Sequence, residues 1–156
     1  MTPLKRILIA EDNDKDLELT LTALEENNLA NEVVATRDGA EVWDYLCAQG
    51  GFAGRQGGNP AVVLLDLKMP KIDGLELLRR MRGDRRFRTV PVVMLTSSRE
   101  ERDIVESYQL GVNAYVVKPV AFQEFIEAVK NLGLFWAVLN EPPPRSMGLT
   151  ALLPGA

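Results

Sequence analysis

Short apolar runs alternate with stretches of helical periodicity along this chain, and the alternation predicts an α/β protein: a doubly wound, five-stranded parallel sheet with five helices. Two further observations agree. The first, third and fourth runs are apolar throughout rather than at every second position, as in strands buried on both faces of a parallel sheet. Polar residues then stop the strands, and in a sheet of this kind the carboxyl ends share one edge, where ligands bind.

The first strand, Ile7-Leu8-Ile9-Ala10, ends in Glu11-Asp12. A helix follows, with Leu17, Leu21 and Leu24 at helical spacing and Asp14 and its neighbours placing acid in its first turn, where the dipole favours it. Asn27-Asn28 mark its end. Val33-Val34-Ala35 is the second strand, and Asp38-Gly39 opens a helix carrying Val42, Trp43, Tyr45, Leu46 and Cys47. Trp43 and Cys47 are read as core packing. From Gly50 to Pro60, glycine-rich and poor in apolar residues, the chain reads as a long, mobile surface loop.

The third strand, Ala61 to Leu65, ends at Asp66; Pro70 and Asp73-Gly74 turn the chain into a helix with Leu75, Leu78 and Met81. The fourth, Pro91 to Leu95, ends at Thr96, with Ser97 and Ser98 as caps for a helix through Ile104, Val105 and Tyr108 that Gly111 closes. The fifth, Ala114 to Val117, ends at Lys118-Pro119, before a last helix with Phe122, Phe125, Ile126, Val129 and Leu132 on one face. Crossovers of the usual right hand then cover both sides of the sheet. Residues 1–140 are expected to form one domain, and 141–156 a Pro-rich C-terminal tail.

The 156 residues carry a net charge of −4, with 46% apolar and 26% charged side chains. That balance suits one soluble domain and argues against a nucleic-acid-binding one, which needs a basic stripe. The arginines at 79, 80, 82, 85, 86 and 88 are read as a solvated face. Cys47 is the one cysteine, so no internal disulfide forms, and a cytoplasmic location is expected. No signal peptide is recognisable, and no apolar run approaches the ~20 residues a membrane span needs. The chain has no histidine, which excludes Ser-His-Asp and Cys-His catalysis and any His-ligated zinc.

The strand ends therefore bring together Glu11, Asp12, Asp66, Thr96 and Lys118, although they are spread over more than a hundred residues. Packed carboxylates resist ionisation together, and a divalent cation relieves them. Oxygen-only ligands favour Mg²⁺, or Mn²⁺, over zinc. One carboxylate can then act as nucleophile toward a phosphoryl donor, with the metal and an ammonium neutralising the transferred oxygens. Asp66, ending the central strand, is the best placed nucleophile.

Glu11-Asp12, the segment Asp66-Leu67-Lys68-Met69-Pro70 with Asp73-Gly74, Thr96-Ser97 and Lys118-Pro119 resemble, in this order, the receiver domain of two-component response regulators. The resemblance covers about residues 5 to 132 and implies a CheY-like, flavodoxin-like receiver fold. It implies that Asp66 accepts a phosphoryl group from the phosphohistidine of a sensor histidine kinase. It further implies Mg²⁺ held by Asp12, Asp66 and the Lys68 backbone carbonyl, with Glu11 acting partly through water. Thr96 would move toward the phosphate, Lys118 would pair with a phosphate oxygen, and Tyr115 would turn inward as Thr96 moves, so that Thr96 and Tyr115 form the switch. Lys68 and Ser98, two residues after Asp66 and Thr96, stand where the family tunes phosphoryl lifetime.

A narrower resemblance is to the single-domain regulators of bacterial phytochrome kinases, carried by the Gly-rich loop, Lys68 to Gly74, and Leu134-Phe135-Trp136 with Asn140 to Pro143. It implies a phytochrome-type kinase as partner and a homodimer through the last helix region, where Leu132, Leu134, Phe135, Trp136, Val138 and Leu139 exceed one buried face. The chain is then expected not to be an enzyme beyond its own phosphoryl uptake and loss. The alternatives are a phosphorelay intermediate, a degenerate receiver that only binds partners, and a phosphatase with an aspartyl-phosphate intermediate. The last needs a general acid two residues after the nucleophile, where this chain has Lys68.

Overall fold

The computed structural model describes residues 6–26, 32–56 and 58–118. Strands β1 (Arg6–Ala10), β2 (Glu32–Thr36), β3 (Val62–Leu65), β4 (Val92–Thr96) and β5 (Ala114–Val117) form one parallel sheet in the order β2-β1-β3-β4-β5. Helices α1 (Asp14–Glu26), α2 (Gly39–Cys47), α3 (Gly74–Gly83) and α4 (Glu101–Gln109) connect them. β2 lies on one side of β1 and β3 on the other, so the strand order reverses there and opens a crevice at the carboxyl edge. The fifth expected helix, the apolar segment 132–139, the boundary at residue 140 and the tail 141–156 lie outside the described residues, as does the expected helix end at Asn27-Asn28.

The three central strands are buried along almost their whole length: Ile7 to Ala10, Val62 to Leu65 and Val92 to Leu95 make the middle of the core. Leu77, Leu78 and Met81 of α3 and Val42, Tyr45 and Leu46 of α2 pack on one side. Each fully buried aliphatic side chain of this kind contributes about 2 kcal/mol. Phe87 extends the core and meets Trp43 edge to face, with ring centroids 5.6 Å apart.

Asp38 and Asp73 start α2 and α3. Each is extended, and its carboxylate accepts from the backbone N–H three residues on, Glu41 and Glu76, at 2.9 Å. The glycine after each cap is a matter of space: a Cβ on Gly39 would stand 1.9 Å from the Ile72 carbonyl oxygen. The loop from β3 to α3 is thereby pressed onto the start of α2.

Several sequence expectations need correction. α4 starts at Glu101, with Glu100 at the cap position and no side-chain cap, rather than at Ser97 or Ser98. Val105 and Tyr108 are exposed, while Asp103 and Ser107, one turn apart, are buried. Ser107 tolerates this because its hydroxyl donates to the Asp103 carbonyl at 2.7 Å. In α3, Leu77 is fully buried beside Leu78 and Met81, whereas Leu75 is half-buried. Trp43 and Cys47 lie half-buried at the rim of the core rather than inside it.

The segment Gly50 to Pro60 is more built than a bare surface loop. It opens with a 3₁₀ turn, Gly50–Phe52, and Arg55 ties it down by donating to the Tyr45 carbonyl at 2.8 Å and the Gly58 carbonyl at 2.8 Å while stacking over the Tyr45 ring. In the arginine run, Arg82 is not a solvated side chain. It donates to the carbonyls of Val90 at 2.8 Å and Gly111 at 3.0 Å and to Asn113 Oδ1 at 3.1 Å.

Candidate functional site

The sheet's own hydrogen bonds continue one step past the strands and set the polar residues side by side. Glu11 N donates to the Thr36 carbonyl at 3.0 Å, Asp66 N to the Ala10 carbonyl at 3.1 Å and Lys118 N to the Thr96 carbonyl at 2.8 Å. Glu11, Asp12, Asp66, Thr96 and Lys118 therefore all meet at the carboxyl edge, lining a cleft of about 460 Å³. Lys68 lines the same cleft, with its side chain exposed.

Lys118 is the hub. Its ammonium donates to Glu11 Oε1, to Asp16 Oδ2 at 3.1 Å and to Asp66 Oδ2 at 3.2 Å. Glu11 is buried, and its other oxygen accepts from Asn13 N at 3.2 Å. Asp12 is exposed, and its backbone carbonyl is held by Arg37 at 3.1 Å. Carboxylate oxygens of Glu11, Asp12 and Asp66 lie within 4.8 Å of one another. Behind Asp66, Gly74 donates its N–H to the Leu67 carbonyl at 2.8 Å, and a Cβ there would stand 2.4 Å from the Asp66 carbonyl oxygen.

Burial pushes the Glu11 carboxyl up to about 7; Lys118 opposes the shift and Asp66 adds to it. Burial by itself would lower the Lys118 ammonium, but its bonds to Glu11 and Asp16 and the charge of Asp66 hold it above the ordinary lysine range, so it stays charged. The cleft lining still carries more acidic groups, Glu11, Asp12, Asp16, Asp66 and Glu100, than basic ones, Lys68, Arg99 and Lys118, and the pocket keeps an excess of negative charge. Three hard oxygen donors, one open to solvent and none replaced by nitrogen or sulfur, fit Mg²⁺ or Mn²⁺.

Thr96 is buried, and its Oγ accepts from Ser98 N at 3.2 Å. The Tyr115 hydroxyl donates to the Ser98 carbonyl at 3.0 Å, so both expected switch residues converge on Ser98. Sequence reasoning treated Asp16 as a dipole residue only. Its place one helical turn after Asp12 is the signal that would have put it at the same edge. Asn13, whose side chain accepts from Asp16 N at 2.9 Å, and Asp103, beneath Ser98, were also missed.

The family model described as response regulator receiver domain matches residues 7–130. The solved bacteriophytochrome response regulator RtBRR is 60% identical with a TM-score of 0.80, covering 96% of this chain and 89% of its own. AtBRR, also a bacteriophytochrome response regulator, is 62% identical with a TM-score of 0.81, covering 90% of this chain and 100% of its own. Response regulator Rcp1 of Synechocystis sp. (strain ATCC 27184 / PCC 6803 / Kazusa) is 34% identical over 134 residues, 86% of this chain and 90% of its own. Its Mn²⁺-bound structure gives a TM-score of 0.72 over 90% of this chain and 99% of that one. With a match running from the first strand through the lysine that reaches Asp66, the chain belongs to the response regulator receiver domain family, and its sheet is the flavodoxin-like receiver fold.

Proposed function

We propose that this receiver accepts a phosphoryl group on Asp66 from the phosphohistidine of a sensor histidine kinase, in a Mg²⁺-dependent reaction that switches its partner-binding surface. The observation that carries the reading is the cluster itself: three carboxylates within 4.8 Å, with a charged lysine in contact with the proposed acceptor. Asp12, Asp66 and the Lys68 backbone carbonyl would hold the metal, with Glu11 assisting through water. When bound, the cation supplies charge neutralisation at the phosphoryl oxygens.

The chain's own residues do the rest. An Asp66 carboxylate oxygen bonds to phosphorus as the bond from phosphorus to the donor nitrogen breaks. Lys118 exchanges Asp66 Oδ2 for a phosphoryl oxygen, a short move for a flexible ammonium already at 3.2 Å. Thr96 donates its hydroxyl to another phosphoryl oxygen. In doing so it disturbs the Ser98 N–H bond that it now accepts, and through the Ser98 carbonyl it moves Tyr115. Lys68, and not an aspartic acid, stands two residues after Asp66, which speaks against hydrolysis of external phosphoesters.

The similarity to the bacteriophytochrome response regulators RtBRR and AtBRR favours a phytochrome-type kinase as the partner. A cytoplasmic location goes with that donor. The expected homodimer rests on the resemblance to the phytochrome-kinase regulators and on the apolar sequence 132–139, and sedimentation of wild type beside Trp136→Glu would test it. A receiver domain over 1–140 with a Pro-rich tail beyond it belongs to the same proposal.

Intact mass after incubation with Mg²⁺ and a small acyl-phosphate donor tests the reading, with Asp66→Asn and EDTA as controls. A gain of one phosphoryl group in wild type, lost in the variant and in EDTA, is the expected result. No gain from either the small donor or a histidine kinase would leave a binding module in place of a switch.

A further inference from the structure

Asp103 is a buried carboxylate that the switch chemistry above does not use. It lies in the first turn of α4, 7% exposed, and its one short side-chain bond among the described residues is to Ser98: the Ser98 hydroxyl donates to Asp103 Oδ2 at 2.6 Å. The nearest cation among the described residues, Arg102, stands 4.0 Å away and is itself 85% exposed. A carboxylate buried with so little compensation is costly, and the α4 dipole offsets only part of that. Leu or Ala would fill the position more cheaply.

Ser98 is where the cost has an effect. It lines the cleft with Asp66, Thr96 and Lys118. A serine hydroxyl has one proton, and here that proton goes to Asp103. What Ser98 Oγ has left are lone pairs, one of which accepts from Glu100 N at 3.3 Å. Toward the cleft, Ser98 is an acceptor and not a donor.

We propose that Asp103 is a positioning residue that withholds the Ser98 proton from the phosphoryl site and so prolongs the phosphorylated state; this rests on Asp66 being the acceptor. Loss of the phosphoryl group is attack by water: its oxygen bonds to phosphorus, the bond to the Asp66 oxygen breaks, and the carboxylate leaves with the electron pair. One water proton stays on the phosphate and the other goes to solvent. A free Ser98 hydroxyl in the same cleft can donate to a phosphoryl oxygen or orient that water, and either hastens the step. Held by Asp103, it does neither.

The test measures loss of the phosphoryl group by intact mass in wild type, Asp103→Ala, Asp103→Asn, Ser98→Ala and the double variant Ser98→Ala/Asp103→Ala. Asp103→Ala should lose the group about tenfold faster, the scale of one hydrogen bond to a charged group. Asp103→Asn keeps an acceptor for the hydroxyl and should stay near wild type. Ser98→Ala should not accelerate, and in its background Asp103→Ala should add nothing. An acceleration that persists without the Ser98 hydroxyl would mean general loosening of α4 and would overturn the proposal, as would equal lifetimes in wild type and Asp103→Ala. If Asp103→Ala does not fold, Asp103→Leu, which also removes the acceptor, takes its place in the same comparison, and a lifetime equal to wild type overturns the proposal equally. Absence of uptake by wild type overturns both this inference and the reading beneath it, whereas uptake with the wrong pattern of lifetimes overturns this inference alone.

Discussion

Lys118 Nζ stands 3.2 Å from Asp66 Oδ2 and 3.1 Å from Asp16 Oδ2, so one ammonium from the end of β5 ties the end of β3 to the first turn of α1. Without it the buried carboxylates of Glu11 and Asp66 face each other with no cation between them among the described residues. Removing one member of a buried ion cluster costs about 3 kcal/mol. Lys118→Ala is therefore expected to melt several degrees lower in EDTA. Saturating Mg²⁺ should recover most of that loss, because the metal replaces the missing positive charge. Thermal melts of both proteins with and without Mg²⁺ check this, and an equal deficit in both conditions would contradict it.

Glu11 sets a pH dependence of definite sign. Burial raises its carboxyl from 4.5 to about 7, so between those values the folded protein binds a proton that the unfolded chain has released. This contribution to stability is complete below pH 4.5 and is lost as pH rises to about 7. In EDTA the difference in melting temperature between wild type and Glu11→Gln should move against wild type across that window. The same proton competes with metal, so Mg²⁺ affinity should weaken below about pH 7 in wild type and flatten in Glu11→Gln. Thermal melts across that window and calorimetric Mg²⁺ titrations at pH 6 and 8 read the two effects, and parallel pH profiles would exclude Glu11 as the group.

Gly74 makes room for the acceptor strand. A Cβ at 2.4 Å from the Asp66 carbonyl oxygen and 2.9 Å from Leu67 Cα meets backbone, which has no way to swing aside. Gly74→Ala should cost about 2 kcal/mol or more through overpacking. It should also slow phosphoryl uptake at Asp66 beyond what the stability loss explains, since the displaced atoms belong to the proposed acceptor. Gly83→Ala, in open space at the end of the same helix, is the control and should leave uptake unchanged.

The sheet and the strand-end residues were legible because both follow from local pattern. Continuous apolar runs such as Val62 to Leu65 have one stable home, and the polar residue that stops each run must emerge at the shared edge. What stayed hidden depended on tertiary context. Asp16 looks like any first-turn acid until Lys118, a hundred residues on, arrives beside it. The rotation of α4 was hidden because Asp103 takes a bond from Ser98 and Ser107 gives one to its own helix backbone, contacts no local pattern reveals, so a polar face turned inward while Val105 and Tyr108 turned out. Arg82 was lost among five other arginines of identical type.

Arg82 supplies the last contrast. Its guanidinium reaches carbonyl-type acceptors on two segments, Val90, Gly111 and Asn113 among them, and joins the chain before β4 to the chain before β5. Asn113 in turn accepts from Val92 N at 2.8 Å, so the arginine also orients the group that pairs the first residue of β4. Truncation takes this donor from several acceptors at once in a half-buried site, and Arg82→Ala should cost about 3 kcal/mol. Lysine has the charge but not the planar fork, so Arg82→Lys should recover less than half of it. Arg85→Ala and Arg88→Ala, both exposed, should stay within about 0.5 kcal/mol of wild type. Urea unfolding of the four variants reads the difference directly. Because β4 and β5 carry Thr96 and Lys118 at their far ends, phosphoryl uptake per folded molecule should be unchanged in all four, and a loss of uptake in folded Arg82→Lys would show that this staple reaches the site after all.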